Sequence, residues 1–165
     1  MWGNPANRAS TSDERLSTSN RRSIAPLRAI VMALLSLLAV QFALGIYSNL
    51  YISFPAHATG TSMTMGGMEI GGMRTVMNHV GLASHMMLGF LLVALGCAAV
   101  VLAVRTGIPT AIWLAATGLV ALVGAGIAGM VFVMAGQANA ASYVMAIGFL
   151  VSFTCYFAEL TVTHQ

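Results

Sequence analysis

The chain has 165 residues, of which 58% are hydrophobic and only 7% charged, a balance that a single soluble core of this size does not need. Its net charge of +3 comes from arginine alone, and five of the seven arginines (Arg8, Arg15, Arg21, Arg22, Arg28) precede the first apolar run. That placement is a topological signal and not a nucleic-acid patch. The missing motifs exclude further classes: there is no glycine-rich phosphate loop, no Ser/His/Asp set, no HExxH and no pair of carboxylates within the apolar runs.

Residues 1–24 hold Ser, Thr, Asn, Arg, Asp13 and Glu14 with little that is large and apolar, so they are expected to form a disordered, Arg-rich cytoplasmic tail. Residues 29–52 carry no charge and, at about 1.5 Å per residue, suffice for a hydrocarbon core of roughly 30 Å. Residues 53–77 contain Pro55 and a series of glycines and read as an outer loop. A second apolar run over 79–104 stops at Arg105-Thr-Gly-Ile-Pro109, where glycine and proline end a helix. Spans at 111–135 and 139–160 follow, joined by so short a connection that they must be antiparallel neighbours. The expected fold is therefore all-α, an integral membrane four-helix bundle over 29–160 in the lipid bilayer of the cell membrane. It runs up-down-up-down with both termini cytoplasmic, because the tail and Arg105 fall on one side and only Arg74 on the other. Ala56-His57-Ala58 has the small-x-small form of a signal-peptide cleavage site, but the preceding run is longer than a signal h-region, which favours an uncleaved anchor.

Polar groups inside the spans mark where chemistry would sit, since each needs a partner, a cavity or a cofactor. His85 lies six residues into the second span, and its face carries Gly89, Leu92 and Gly96 at offsets of four, seven and eleven, which leaves a groove beside the imidazole. Met145 lies equally deep in the fourth span, with Ala141, Gly148 and Ser152 near its face. A histidine and a methionine at one depth, both flanked by small residues, are a candidate His/Met pair for a b-type heme. The plainer reading has His85 hydrogen-bonded to a neighbouring helix and Met145 filling core. His79, six residues before His85, is rotated by about 120° and belongs to the interface.

Gln41-Phe-Ala-Leu-Gly45 near the outer half of the first span, and His85-Met-Met-Leu-Gly89 opening the second, resemble one four-helix half of the heme A synthase family. The resemblance covers about residues 29–160 and implies a heme ligand at His85, with Met145 standing where the family has its fourth-helix histidine. Only one half is present, and Gly81, Leu82, Ala83 and Ser84 occupy the place of the family's acidic residue. The resemblance therefore implies heme binding for electron transfer, heme handling or oxidase assembly, and not a complete enzyme. A homodimer would restore two halves.

The outer loop holds a second constellation. Met63, Met65, Met68, Met73 and Met77 recur at short intervals, with His57 nearby, and clustered thioethers with imidazole are soft ligands that select Cu(I). The alternative is a Met-Gly loop whose methionines pack as adaptable gap-fillers. A third reading is a cofactor-free accessory subunit of a larger membrane complex. Thr117, Ala121, Ala125 and Gly129 form a packing stripe on the third span, and Gln41 is expected to make an interhelical hydrogen bond. Glu159 is expected to snorkel to water at the inner end of the fourth span. Cys97 and Cys155 are expected to be inert core thiols.

Overall fold

The computed structural model describes residues 5–51, 64–65, 68–69, 80–134 and 139–163, and side chains over 24–48, 50–51, 80–132 and 139–163. Four long helices dominate: α1 (Pro5–Tyr51), α2 (Val80–Thr106), α3 (Pro109–Met134) and α4 (Asn139–Val162). A two-stranded antiparallel ladder of β1 (Thr64–Met65) and β2 (Met68–Glu69) lies between α1 and α2 in sequence. All four helices contain a segment long and apolar enough to cross a membrane: Ile24–Ser48, Val80–Thr106, Pro109–Phe132 and Asn139–Val162.

The helix ends follow from local chemistry. Gly107 adopts φ 69°, a left-handed conformation that glycine enters without a Cβ penalty, and its N–H donates to the Val104 carbonyl at 3.2 Å to close α2. The Thr106 hydroxyl donates to the Ala103 carbonyl at 2.7 Å and accepts the Ile108 N–H at 3.3 Å. Pro109 then opens α3, at the position where a missing N–H costs nothing. The turn between α2 and α3 is thus satisfied within itself.

The N-terminal segment differs from the expected unstructured tail, because α1 begins at Pro5 and passes through Pro26 before the apolar span. Once the span is helical, adding residues to its end avoids the cost of nucleation, and Ala, Arg, Glu and Leu in this stretch are good helix formers. A segment too polar for a core can be helical for that reason.

The bundle is closed as a ring, with α1 packed on α2 and α4, α2 on α3, and α3 on α4. Its core places large side chains of α1 against small ones elsewhere. Leu27, Val31, Leu34 and Leu38, at helical offsets of four and three, are all fully or almost fully buried. Against them lie Ala99 and Ala103 of α2 and Ala111 and Ala115 of α3, each without exposed surface. The seam between α1 and α4 carries stacked Phe42 and Phe149, with ring centroids 4.7 Å apart. The outward surface is apolar as well, including Phe90, Trp113, Val120 and Leu150. A bundle with leucine inside and leucine outside is matched to lipid rather than to water.

The small-residue stripe of α3 works as expected at Ala121, Ala125 and Gly129, each of which meets α4. A Cβ built on Gly148 of α4 would stand 2.9 Å from both the Ala121 carbonyl oxygen and the Ala125 Cβ, so the two backbones touch there. Thr117, by contrast, is exposed. Cys97 faces outward and Cys155 is half-buried, both as free thiols, so Cys97 is not the core residue expected. Gly148→Leu should overpack the α3–α4 seam and cost about 1–3 kcal/mol, read as a lower thermal midpoint in detergent. Gly124→Ala, where a Cβ meets nothing within 4 Å, should leave that midpoint unchanged or raised.

Candidate functional site at the seam of the first two helices

His85 and Gln41 meet where α2 packs on α1. The Gln41 side-chain Nε2 donates to the His85 carbonyl at 3.0 Å and lies 3.3 Å from the His85 ring Nε2. An atom that donates to a carbonyl is the NH2 of the amide, and its second hydrogen makes the ring Nε2 the acceptor. That contact suits the imidazole tautomer with its proton on Nδ1. That Nδ1 is buried and has no hydrogen-bond partner among the described residues, as are the Gln41 Oε1 and the Ser48 Oγ. The interhelical hydrogen bond expected of Gln41 is present, and its partner is the residue singled out as a ligand.

Two glycines make this contact possible. A Cβ on Gly45 would be 3.2 Å from the His85 Cε1, so the imidazole edge lies directly on the α1 backbone. A Cβ on Gly89 would be 3.5 Å from the Gln41 Nε2. The groove beside His85 is accordingly filled by Gln41. Gly96, the third member of that face, lies eleven residues further along, about 16 Å away along the helix axis. It meets the Tyr156 hydroxyl and the Leu119 Cδ1, each at 3.0 Å from a Cβ position. Gly89 and Gly96 therefore serve two different layers.

Met145 is turned elsewhere. Its Sδ stands 3.3 Å from a Cβ position on Gly129 of α3, and its neighbours on the same face, Gly148 and Ser152, also address α3. The Ser152 hydroxyl donates to the Gly118 carbonyl at 3.0 Å. Met145 thus packs along the α3–α4 seam while His85 packs along the α1–α2 seam. In this arrangement the His85 Nε2 is occupied by Gln41 of α1 and the Met145 sulfur is turned to Gly129 of α3. The two side chains as packed do not fit an iron between them.

Of the proposed soft-metal ligands, Met65 and Met68 are directly opposite each other in the β1–β2 register. Met63, Met73, Met77 and His57 lie outside the described residues, as does His79. Among the described residues no three His, Cys, Asp or Glu side chains come together.

Glu159 corrects an expectation. It does not reach water at the end of α4: it is 0% exposed, and both carboxyl oxygens are buried without a hydrogen-bond partner. Tyr156, one turn earlier, is also 0% exposed, and its ring covers Gly118 while its hydroxyl reaches Gly96. The signal was present in the spacing. Ala141, Met145, Gly148, Ser152, Tyr156 and Glu159 follow one another at offsets of four and three, a single stripe that faces the bundle throughout. Long acidic side chains near a helix end reach water only if they lie on the outward face.

Gln41→Leu should remove both donations to His85 and destabilise the α1–α2 seam by about 0.6–1.7 kcal/mol, the range for hydrogen bonds between membrane helices. The check is the thermal midpoint of the purified protein in detergent, with Val40→Leu, on the exposed face, as the unaffected control.

No family model, curated protein or solved structure matches the chain, so its function is argued from these residues alone.

Proposed function

We propose that this chain is a multi-pass protein of the cell membrane that acts as an accessory subunit of a larger membrane complex and performs no chemistry alone. The helices cross up-down-up-down with both termini cytoplasmic, a reading supported by the arginines ahead of the first span and by Arg105 beside the turn after α2. One observation carries the functional part: the bundle fills its own interior. His85 occupies the notch at Gly45, Gln41 that at Gly89, Tyr156 those at Gly96 and Gly118, Met145 that at Gly129, and Ala125 that at Gly148. A bundle packed in this way acts through its lipid-facing helices and its outer loop.

The experiment is purification in a mild detergent from heme-replete cells, followed by native sizing and an absorption spectrum. The expected result is a discrete species well above the size of one chain, with no Soret band. A monodisperse single chain with a Soret band that disappears in His85→Ala would replace this reading with heme binding. In that case the Gln41–His85 contact must open to free an imidazole nitrogen.

A second reading, Cu(I) handling by the outer loop, is favoured by the register that sets Met65 opposite Met68 across the β1–β2 ladder. Two thioethers from one hairpin, joined by other loop methionines, are a soft donor set. Met65→Leu with Met68→Leu should then weaken Cu(I) binding at least tenfold in competition with a chelator. Unchanged affinity in the double variant excludes the hairpin as a site.

A further inference from the structure

The least expected group in the bundle is the Glu159 carboxyl. It has no exposed surface, its two oxygens have no hydrogen-bond partner among the described residues, and it sits in a helix of membrane-spanning length. Its own backbone carbonyl is well served, accepting from the Thr163 N–H at 3.1 Å and the Thr163 hydroxyl at 2.8 Å, so Thr163 is turned to the backbone and not to the carboxyl. Among the residues whose side chains are described, the titratable and charged groups around this level are few. On α4 they are Cys155 and Tyr156, on α1 Arg28, and on α2 Cys97 and Arg105, while α3 carries none. None of them hydrogen-bonds the Glu159 side chain.

A carboxylate in such a place would be an unpaired charge without water, which is far costlier than the neutral acid. Two occupants could neutralise it. A metal cation requires several oxygen ligands, whereas the nearest other buried side-chain oxygens among the described residues are the Tyr156 hydroxyl, which reaches Gly96, and the Thr163 hydroxyl, which donates to the Glu159 backbone carbonyl; Leu27, Val31, Ala99, Ala103, Ala111 and Ala115 in this half are apolar. A proton requires only the carboxyl itself. Access is one-sided: Glu159 is four residues from Thr163, about 6 Å along the helix, whereas Leu34, Leu38 and Leu92 separate this layer from the His85 seam.

We propose that Glu159 is a membrane-embedded proton-binding site, a carboxyl that the closed bundle holds in its neutral form and that exchanges its proton at the C-terminal end of α4. Tyr156 walls the site off from the rest of the bundle, since its ring spans from Gly118 to Gly96 directly above the carboxyl's turn. The site does not depend on the accessory-subunit reading, because it requires only the buried carboxyl.

The test is an infrared difference spectrum of the intact protein in lipid at pH 7, wild type against Glu159→Gln. Asp13, Glu14 and Glu69, the remaining acidic side chains, are the same in both proteins and cancel in the difference. The expected result is the carbonyl stretch of an uncharged acid in the wild type that the variant lacks. Loss of a carboxylate band instead would overturn the proposal. Should the variant not fold, the wild type is treated with dicyclohexylcarbodiimide, which modifies protonated carboxyls in apolar surroundings, and the peptides are read by mass spectrometry. Modification at Glu159 alone among the four acids supports the site, and a protein modified nowhere overturns it.

Discussion

Two glycines on different helices, Gly96 of α2 and Gly118 of α3, make room for one tyrosine of α4, and the spacing of the bundle follows from that fit. The Tyr156 ring lies on Gly118 and its hydroxyl reaches Gly96, so a single side chain touches both neighbouring backbones at once. A Cβ at either glycine would stand 3.0 Å from a tyrosine atom, tighter than ordinary van der Waals contact, so the ring would have to shift. With Tyr156 so placed, α3 and α4 approach until Gly148 meets the Ala121–Ala125 backbone, and the leucines of α1 are left to fill what the alanines of α2 and α3 do not. Lipid supplies no hydrophobic force between helices, so close packing of this kind has to hold them together.

The buried polar groups left without a full set of partners fall in two layers. At the end where α2 begins, Gln41 and His85 bridge α1 and α2, with Ser48 buried alongside. At the end where α4 finishes, Tyr156 and Glu159 are buried with their oxygens unpartnered. The leucine layer of Leu34, Leu38 and Leu92 lies between the two. Among the described residues, that apolar layer separates the two sets of polar groups.

Much of the fold was legible in the chain because lipid imposes a simple rule: long uncharged runs become helices when every backbone polar group must be satisfied within its own segment. The turn at Arg105–Pro109 was legible for the same local reasons, a glycine free to take positive φ and a proline suited to open a helix. Residue types that deserved scrutiny were also visible, since His85 and Gln41 stood out as polar groups in apolar runs. Their partners were not. Depth along a helix can be counted from sequence, but the direction a face points depends on which helix packs against it, and His85 and Met145 share a depth while facing different neighbours.

By itself, then, the sequence determined four helices of spanning length, the end of α2, and the small stripes along which backbones approach, because composition and offsets of three and four act within one segment. Only the tertiary structure decided that Gln41 closes the groove beside His85, that Met145 turns to α3, and that Glu159 lies inside the bundle rather than in water. Those outcomes depend on the rotation of each helix about its axis. Rotation is set by the best mutual fit of all four surfaces, a property that no single segment contains.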